Sequence, residues 1–208
     1  MKLYLSSFRF GDEPQKLADL VGDNKNIAII PNALDIYPDS PRKDAGLQRE
    51  TDGLLELGLQ PEILDLRDYF GKSEELKQKL SQYGAVWVLG GNTFVLRRAY
   101  KESGFDNWLQ QQKDNQDFVY AGYSAGVCVL SPSLKGLETV DDPVLVGDGY
   151  PTETVWDGLN IIDFAFAPHF ESPGHPETEM VNHEVAHYKK VGIKYKTLHD
   201  GEVIIMEI

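Results

Sequence analysis

Residues Gly84 to Thr93 read GAVWVLGGNT, and residues Asp117 to Gly126 read DFVYAGYSAG. Each is a short apolar run that ends in a glycine-rich turn, the pattern of a strand buried on both faces of a parallel sheet. Working outward, Asn26 to Ile30 (NIAII) is a similar run ending at Pro31, and Glu62 to Leu66 (EILDL) alternates as a strand. Ile161 to Ala167 (IIDFAFA) is a further strand, ending at Pro168-His169. Helices are expected between them: Arg42 to Leu57 with Gly58 beyond, Glu74 to Leu80 capped by Ser73, Phe94 to Tyr100, Phe105 to Lys113, and Pro176 to Val191. Pro132 to Thr154 reads as a loop excursion with room for a hairpin, and Lys194 to Leu198 with Val203 to Ile208 as a closing hairpin around Asp200-Gly201. Alternating strands and helices predict an α/β fold: a mostly parallel central sheet with helices on both faces, in one domain over residues 1–208.

The 208 residues carry 33 acids against 20 bases, a net charge of −13. A field of that sign repels phosphate backbones and anionic lipid, which argues against nucleic-acid and membrane partners. The single cysteine, Cys128, excludes an internal disulfide framework and a cysteine-based zinc cluster. Met1 to Phe10 (MKLYLSSFRF) is too broken by Ser and Arg for a signal peptide, and no run approaches the ~20 apolar residues of a membrane span. A cytoplasmic protein is the expectation.

In such sheets the active site lies outside the carboxyl ends of the strands. Gly122-Tyr123-Ser124-Ala125-Gly126 fits G-x-S-x-G between strand and helix, where a tight turn lifts a serine hydroxyl above the sheet edge. The alternative is a plain turn in which Ser124 only caps a helix. A serine nucleophile needs a base, and of five histidines only His169 directly follows an apolar strand. The Gly91 and Ala125 amides are candidates for an oxyanion hole. Asn92 caps the following helix or meets substrate; Tyr123 and Phe170 line the pocket or fill the core; His175 lines the mouth or lies in a loop.

Strand–GGNT, strand–GYSAG, an Asp-rich segment and strand–PHF, in this order, resemble the peptidase E (aspartyl dipeptidase) family of serine peptidases. The resemblance runs from Leu3 to the final strand. It implies a flavodoxin-like fold of the class I glutamine amidotransferase type, with serine in place of cysteine. It also implies Ser124 as nucleophile, His169 as base, and Asp142 (in Thr139-Val140-Asp141-Asp142-Pro143) as third member, with Asp200 in reserve and Asp141 a solvated neighbour. The implied enzyme is an exopeptidase of short peptides, acting without metal or cofactor, as a monomer or homodimer. One departure bears on specificity. Aspartyl dipeptidases carry an arginine after the histidine, whereas Phe170 to Tyr188 contains no Arg or Lys; Arg97, Arg98 and Lys135 read as surface charges.

Three alternatives stand beside this reading. His183-Glu184-Val185-Ala186-His187 fits the H-E-x-x-H pattern of zinc peptidases, with Glu202 or Glu207 as third ligand. The pocket of the same fold can serve binding alone, with Tyr123, Trp156 and Phe170 lining it. An α/β-hydrolase shares the serine motif but places its triad partners further downstream.

Overall fold

A computed structural model describes residues 1–208. In chain order the elements are β1 (Lys2–Ser6), α1 (Pro14–Leu20), β2 (Asn26–Ile30), α2 (Pro41–Glu56), β3 (Gln60–Ile63), α3 (Ser73–Leu80), β4 (Ala85–Val88), α4 (Thr93–Ser103), α5 (Phe105–Gln111), β5 (Val119–Tyr123), α6 (Ala125–Cys128), β6 (Ala165–Ala167), α7 (Thr178–Val191), β7 (Tyr195–Thr197) and β8 (Val203–Glu207). The main sheet has the order β3-β2-β4-β5-β1-β8, parallel throughout except where β8 runs antiparallel to β1.

Alternate residues of the central strands feed two cores. Leu3, Leu5, Ala28, Ile30, Val86 and Val88 pack with Phe94, Leu96, Phe105 and Val127 from α4, α5 and α6. Tyr4, Ile27, Ile29, Ala85 and Trp87 pack on the other face with Leu17 of α1 and Leu54 of α2. Every residue of β4 is buried, and each such aliphatic side chain stabilises the fold by roughly 1.5–3 kcal/mol. Helices therefore cover both faces, as the alternation predicts. No helix is long and apolar enough to cross a membrane.

Some elements differ from expectation. β1 and α1 join the elements read from the sequence. β3 starts at Gln60, and Leu66–Tyr69 forms a 3-10 turn because the Asp65 carboxylate accepts from the Arg67 amide at 2.9 Å. Ser73 is the first residue of α3 rather than its cap. The excursion after Pro132 holds a 3-10 turn at Leu137–Thr139 and an isolated Ser133–Asp157 bridge in place of a hairpin. β7 and β8 flank the Asp200-Gly201 turn but do not pair with each other: β7 runs parallel to β6 in a second sheet, and β8 closes the main one.

Arg97 and Arg98 are buried, not surface charges. Arg97 pairs with Asp106 at 3.1 Å. The Arg98 guanidinium donates to the carbonyls of Pro143 (2.7 Å) and Glu153 (2.9 Å), tying the long excursion to α4. Lys135 is exposed.

Candidate active site

The sheet brings the ends of β1, β4 and β5 to one edge, so that Ser7, Gly90–Asn92 and Ser124 meet there. Ser124 holds φ 49° and ψ −119°, a conformation that costs a non-glycine residue about 1–3 kcal/mol. Its amide donates to the Ser6 carbonyl at 3.3 Å. Close packing on β4 maintains the turn: a Cβ on Gly126 would lie 2.5 Å from the Val88 carbonyl oxygen, and one on Gly122 2.8 Å from it.

His169 follows β6 with φ 60° and is buried. Its Nδ1 lies 2.6 Å from Asp200 Oδ1. The pairing follows from the register, because β6 and β7 run side by side in the same direction, with Ala167 opposite Thr197, and their following loops emerge together. Ser7 ties the pair to the main sheet: its hydroxyl accepts from the His169 amide at 2.9 Å and donates to Asp200 Oδ1 at 3.1 Å. Burial is the largest influence on the ring and lowers its pKa to about 4, against the opposing pull of Asp200. His169 is therefore neutral at pH 7, the form a base requires.

Ser124 and His169 line the same small pocket. No hydrogen bond joins the two side chains; such contacts commonly tighten only when substrate is bound. The Gly91 amide meets no acceptor within the chain. Gly91 has φ 143°, and a Cβ there would sit 2.4 Å from the Ala33 carbonyl oxygen, so only glycine fits. The Ala125 amide opens α6, where first-turn N–H groups have no intrahelical acceptor.

Asp142 does not reach His169. It is exposed, its Oδ1 accepts from the Val144 amide at 3.0 Å, and its carbonyl accepts from Asn92 Nδ2 at 2.9 Å. The inward carboxylate of that segment is Asp141, which lines the pocket and accepts from the Thr93 amide at 2.8 Å. Asn92 is a structural cap, since its Oδ1 accepts from the Val95 amide at 3.0 Å. Phe170 lies outside the lining of the Ser124 pocket and packs against Ala167, Val181 and Val185. Tyr123 lines a neighbouring cleft, and the His175 ring stacks on that of His169.

The zinc reading fails on geometry. The buried stripe of α7 is Val181, Glu184, Val185 and Tyr188, while His183 and His187 are exposed on another face. Glu184 thus points away from both histidines and into the Ser124 pocket. The same spacing of buried positions could have revealed Glu184 in the sequence; Ser7 and Glu177 carry no comparable signal. The side chains that could together hold a metal are His169, His175 and Glu177, whose ligand atoms lie within 4.8 Å of one another. A cation there would engage His169 itself.

Beside this pocket, Phe8, Arg9, Arg42, Lys43, Arg49 and Tyr123 help to line a cleft of about 540 Å³. Arg9 is paired with Glu50 at 3.1 Å and Lys43 with Asp39 at 3.1 Å, whereas Arg42 and Arg49 pair with no carboxylate.

The sheet order and the chemistry gathered at this edge define a class, the serine peptidases, and comparison with known proteins agrees. Residues 5–207 match peptidase family S51, and the chain belongs to that family. It is 30% identical over 149 residues to an uncharacterized peptidase of Listeria monocytogenes, covering 71% of this chain and 67% of that one. It is 28% identical over 183 residues to a peptidase E of Shewanella denitrificans, covering 83% and 69% respectively. Among solved structures it resembles a Listeria monocytogenes protein assigned to peptidase E, with a TM-score of 0.72 at 25% identity over 100% of this chain and 98% of that one.

Proposed function

We propose that the protein is a serine exopeptidase that hydrolyses short peptides through an acyl-enzyme on Ser124. The observation that carries the reading is the 2.6 Å contact between His169 Nδ1 and Asp200 Oδ1 beside a serine held on a strained turn. Asp200 fixes the tautomer in which Nδ1 carries the proton, leaving Nε2 free to accept one. His169 takes the Ser124 proton as Oγ attacks the scissile carbonyl carbon. The carbonyl electron pair moves to oxygen, where the Gly91 and Ala125 amides stabilise the charge. Collapse breaks the C–N bond, and His169 gives its proton to the leaving amine. Water then adds to the ester with His169 again as base, releasing the acid and restoring Ser124.

The unpaired Arg42 and Arg49 suit the free carboxylate of a short leaving group, which supports exopeptidase over endopeptidase action. A preference for N-terminal aspartate has no such support, because no Arg or Lys lines the pocket of Ser124 and His169. The test is digestion of a dipeptide library by wild type and Ser124→Ala. Cleavage that disappears in a variant with an unchanged melting curve sustains the proposal; cleavage that persists ends it.

A further inference from the structure

The cleft beside the Ser124 pocket sets four cations, Arg9, Arg42, Lys43 and Arg49, against one carboxylate, Glu50, in a chain whose net charge is −13. That carboxylate is already engaged. It is buried, and its two oxygens accept from Arg9 Nε at 3.1 Å and Trp87 Nε1 at 3.0 Å. With Lys43 paired to Asp39, Arg42 and Arg49 are the cations left for a ligand.

Both lie on α2, and a spacing of seven residues puts them on one face, two turns and about 10 Å apart along the axis. Gly46 lies between them in the lining of the cleft, although glycine weakens a helix interior relative to alanine. The bare position makes room for a neighbour. Arg49 Nη2 lies 3.7 Å from where a Gly46 Cβ would stand, so the guanidinium runs back across the backbone toward Arg42. Arg42 in turn occupies the first turn of α2, where a cation opposes the positive end of the helix dipole. Two guanidinium groups drawn together at that end repel each other, and bound carboxylates relieve the repulsion.

The cleft adjoins the proposed base. Phe8 lines it, and the Phe8 ring sits edge-on to His169 at 5.9 Å and to Tyr123 at 6.3 Å. A leaving amine that takes its proton from His169 therefore departs on this side. Arg49 is the inner cation: burial raises the Tyr123 phenol, and Arg9 and Arg49 are among the groups that draw it back down. Arg42 stands two turns further out. Resting on the reading of Ser124 as nucleophile, we propose that the cleft selects an acidic leaving residue, glutamate above all, with Arg49 holding its α-carboxylate and Arg42 its side-chain carboxylate. Glutamate suits the spacing better than aspartate because its second carboxylate reaches further from the scissile bond. The net charge of the chain disfavours such a substrate, so a preference for it must come from this local field.

The experiment fixes the first residue as the one most readily cleaved and compares Xaa-Glu with Xaa-Gln on wild type, Arg42→Gln, Arg42→Lys and Arg49→Gln, each checked by thermal melting. Wild type should use Xaa-Glu about five- to tenfold better in kcat/KM, with the difference in KM. Arg42→Gln should bring the ratio close to one, and Arg42→Lys should keep part of it. Arg49→Gln should weaken both substrates together, since both carry the α-carboxylate. Equal use of the two peptides by wild type, or a preference that Arg42→Gln leaves whole, overturns the inference while Ser124-dependent cleavage still stands. If no peptide is cleaved, the nucleophile reading fails, and calorimetric titration of wild type with Ala-Glu and Ala-Gln decides the cleft. Tighter binding of Ala-Glu, lost in Arg42→Gln, supports the inference; equal binding, or binding of neither, removes it.

Discussion

The His175 ring lies 3.7 Å from that of His169, centroid to centroid, with the two planes 3° from parallel. The stack covers the proposed base, and both its shielding and its charge repulsion oppose protonation of His169. Catalysis needs the neutral ring, so activity persists on acidification until the pH falls through about 4. Replacing His175 by Ala exposes the ring and raises its pKa, moving the acid limb of kcat/KM upward by about one pH unit. Parallel pH profiles of the two proteins check this, and superimposed limbs would count against it.

The two candidate acids separate cleanly. Asp200→Asn removes the carboxylate bonded to His169 and should lower kcat by roughly 10²–10⁴ with KM little changed. Asp142→Asn alters an exposed side chain and should stay within about twofold of wild type. Steady-state kinetics on one good dipeptide decides between them.

The serine turn tolerates no added bulk behind it. In Gly126→Ala the new Cβ would fall 2.5 Å from the buried Val88 carbonyl oxygen. Relieving that clash shifts α6 against β4 and costs about 1–3 kcal/mol. Denaturant titration should report a lower midpoint, together with reduced kcat.

Glu184 gives the stability curve a recognisable slope. Burial raises its folded-state pKa to about 8, so its contribution is fully present below the unfolded pKa and is lost as pH rises through 8. Unfolding releases a proton in that window, and stability falls by up to about 1.4 kcal/mol per pH unit. His169 works in the opposite sense: its lowered pKa makes stability rise from pH 4 to 6.5. Glu184→Gln keeps the histidine contribution and loses the other. The difference between urea midpoints of the two proteins at pH 5, 6, 7 and 8 isolates Glu184, and parallel curves would contradict the assignment.

The basic cleft makes a separate prediction. The Arg42→Gln, Arg49→Gln double variant should raise KM for a free-acid dipeptide about tenfold, leaving kcat and the C-terminally amidated peptide nearly unaffected. An equal change for acid and amide would dissociate the cleft from carboxylate recognition.

The parallel sheet and the positions of Ser124 and His169 were legible because burial on both faces writes long apolar runs, and the sheet edge lies where those runs end. The partner of His169 was not, since Asp142 and Asp200 are both acids in turns and only the β6–β7 register distinguishes them. β1 carries the run Leu3-Tyr4-Leu5 yet is too short to stand out without its neighbours β5 and β8. The motif around Glu184 misleads in one respect, because spacing the two histidines on one face says nothing about which face is buried. Arg98 shows the converse: its burial depends on carbonyls 45 to 55 residues away in the chain.

The Ser7 hydroxyl joins partners 162 and 193 positions distant along the sequence. Contacts of such separation close the largest loops of the chain. The base and its acid are aligned only after β1, β6 and β7 have all found their places. The alignment of His169 with Asp200 is thus a property of the whole chain, resting on contacts between its two ends.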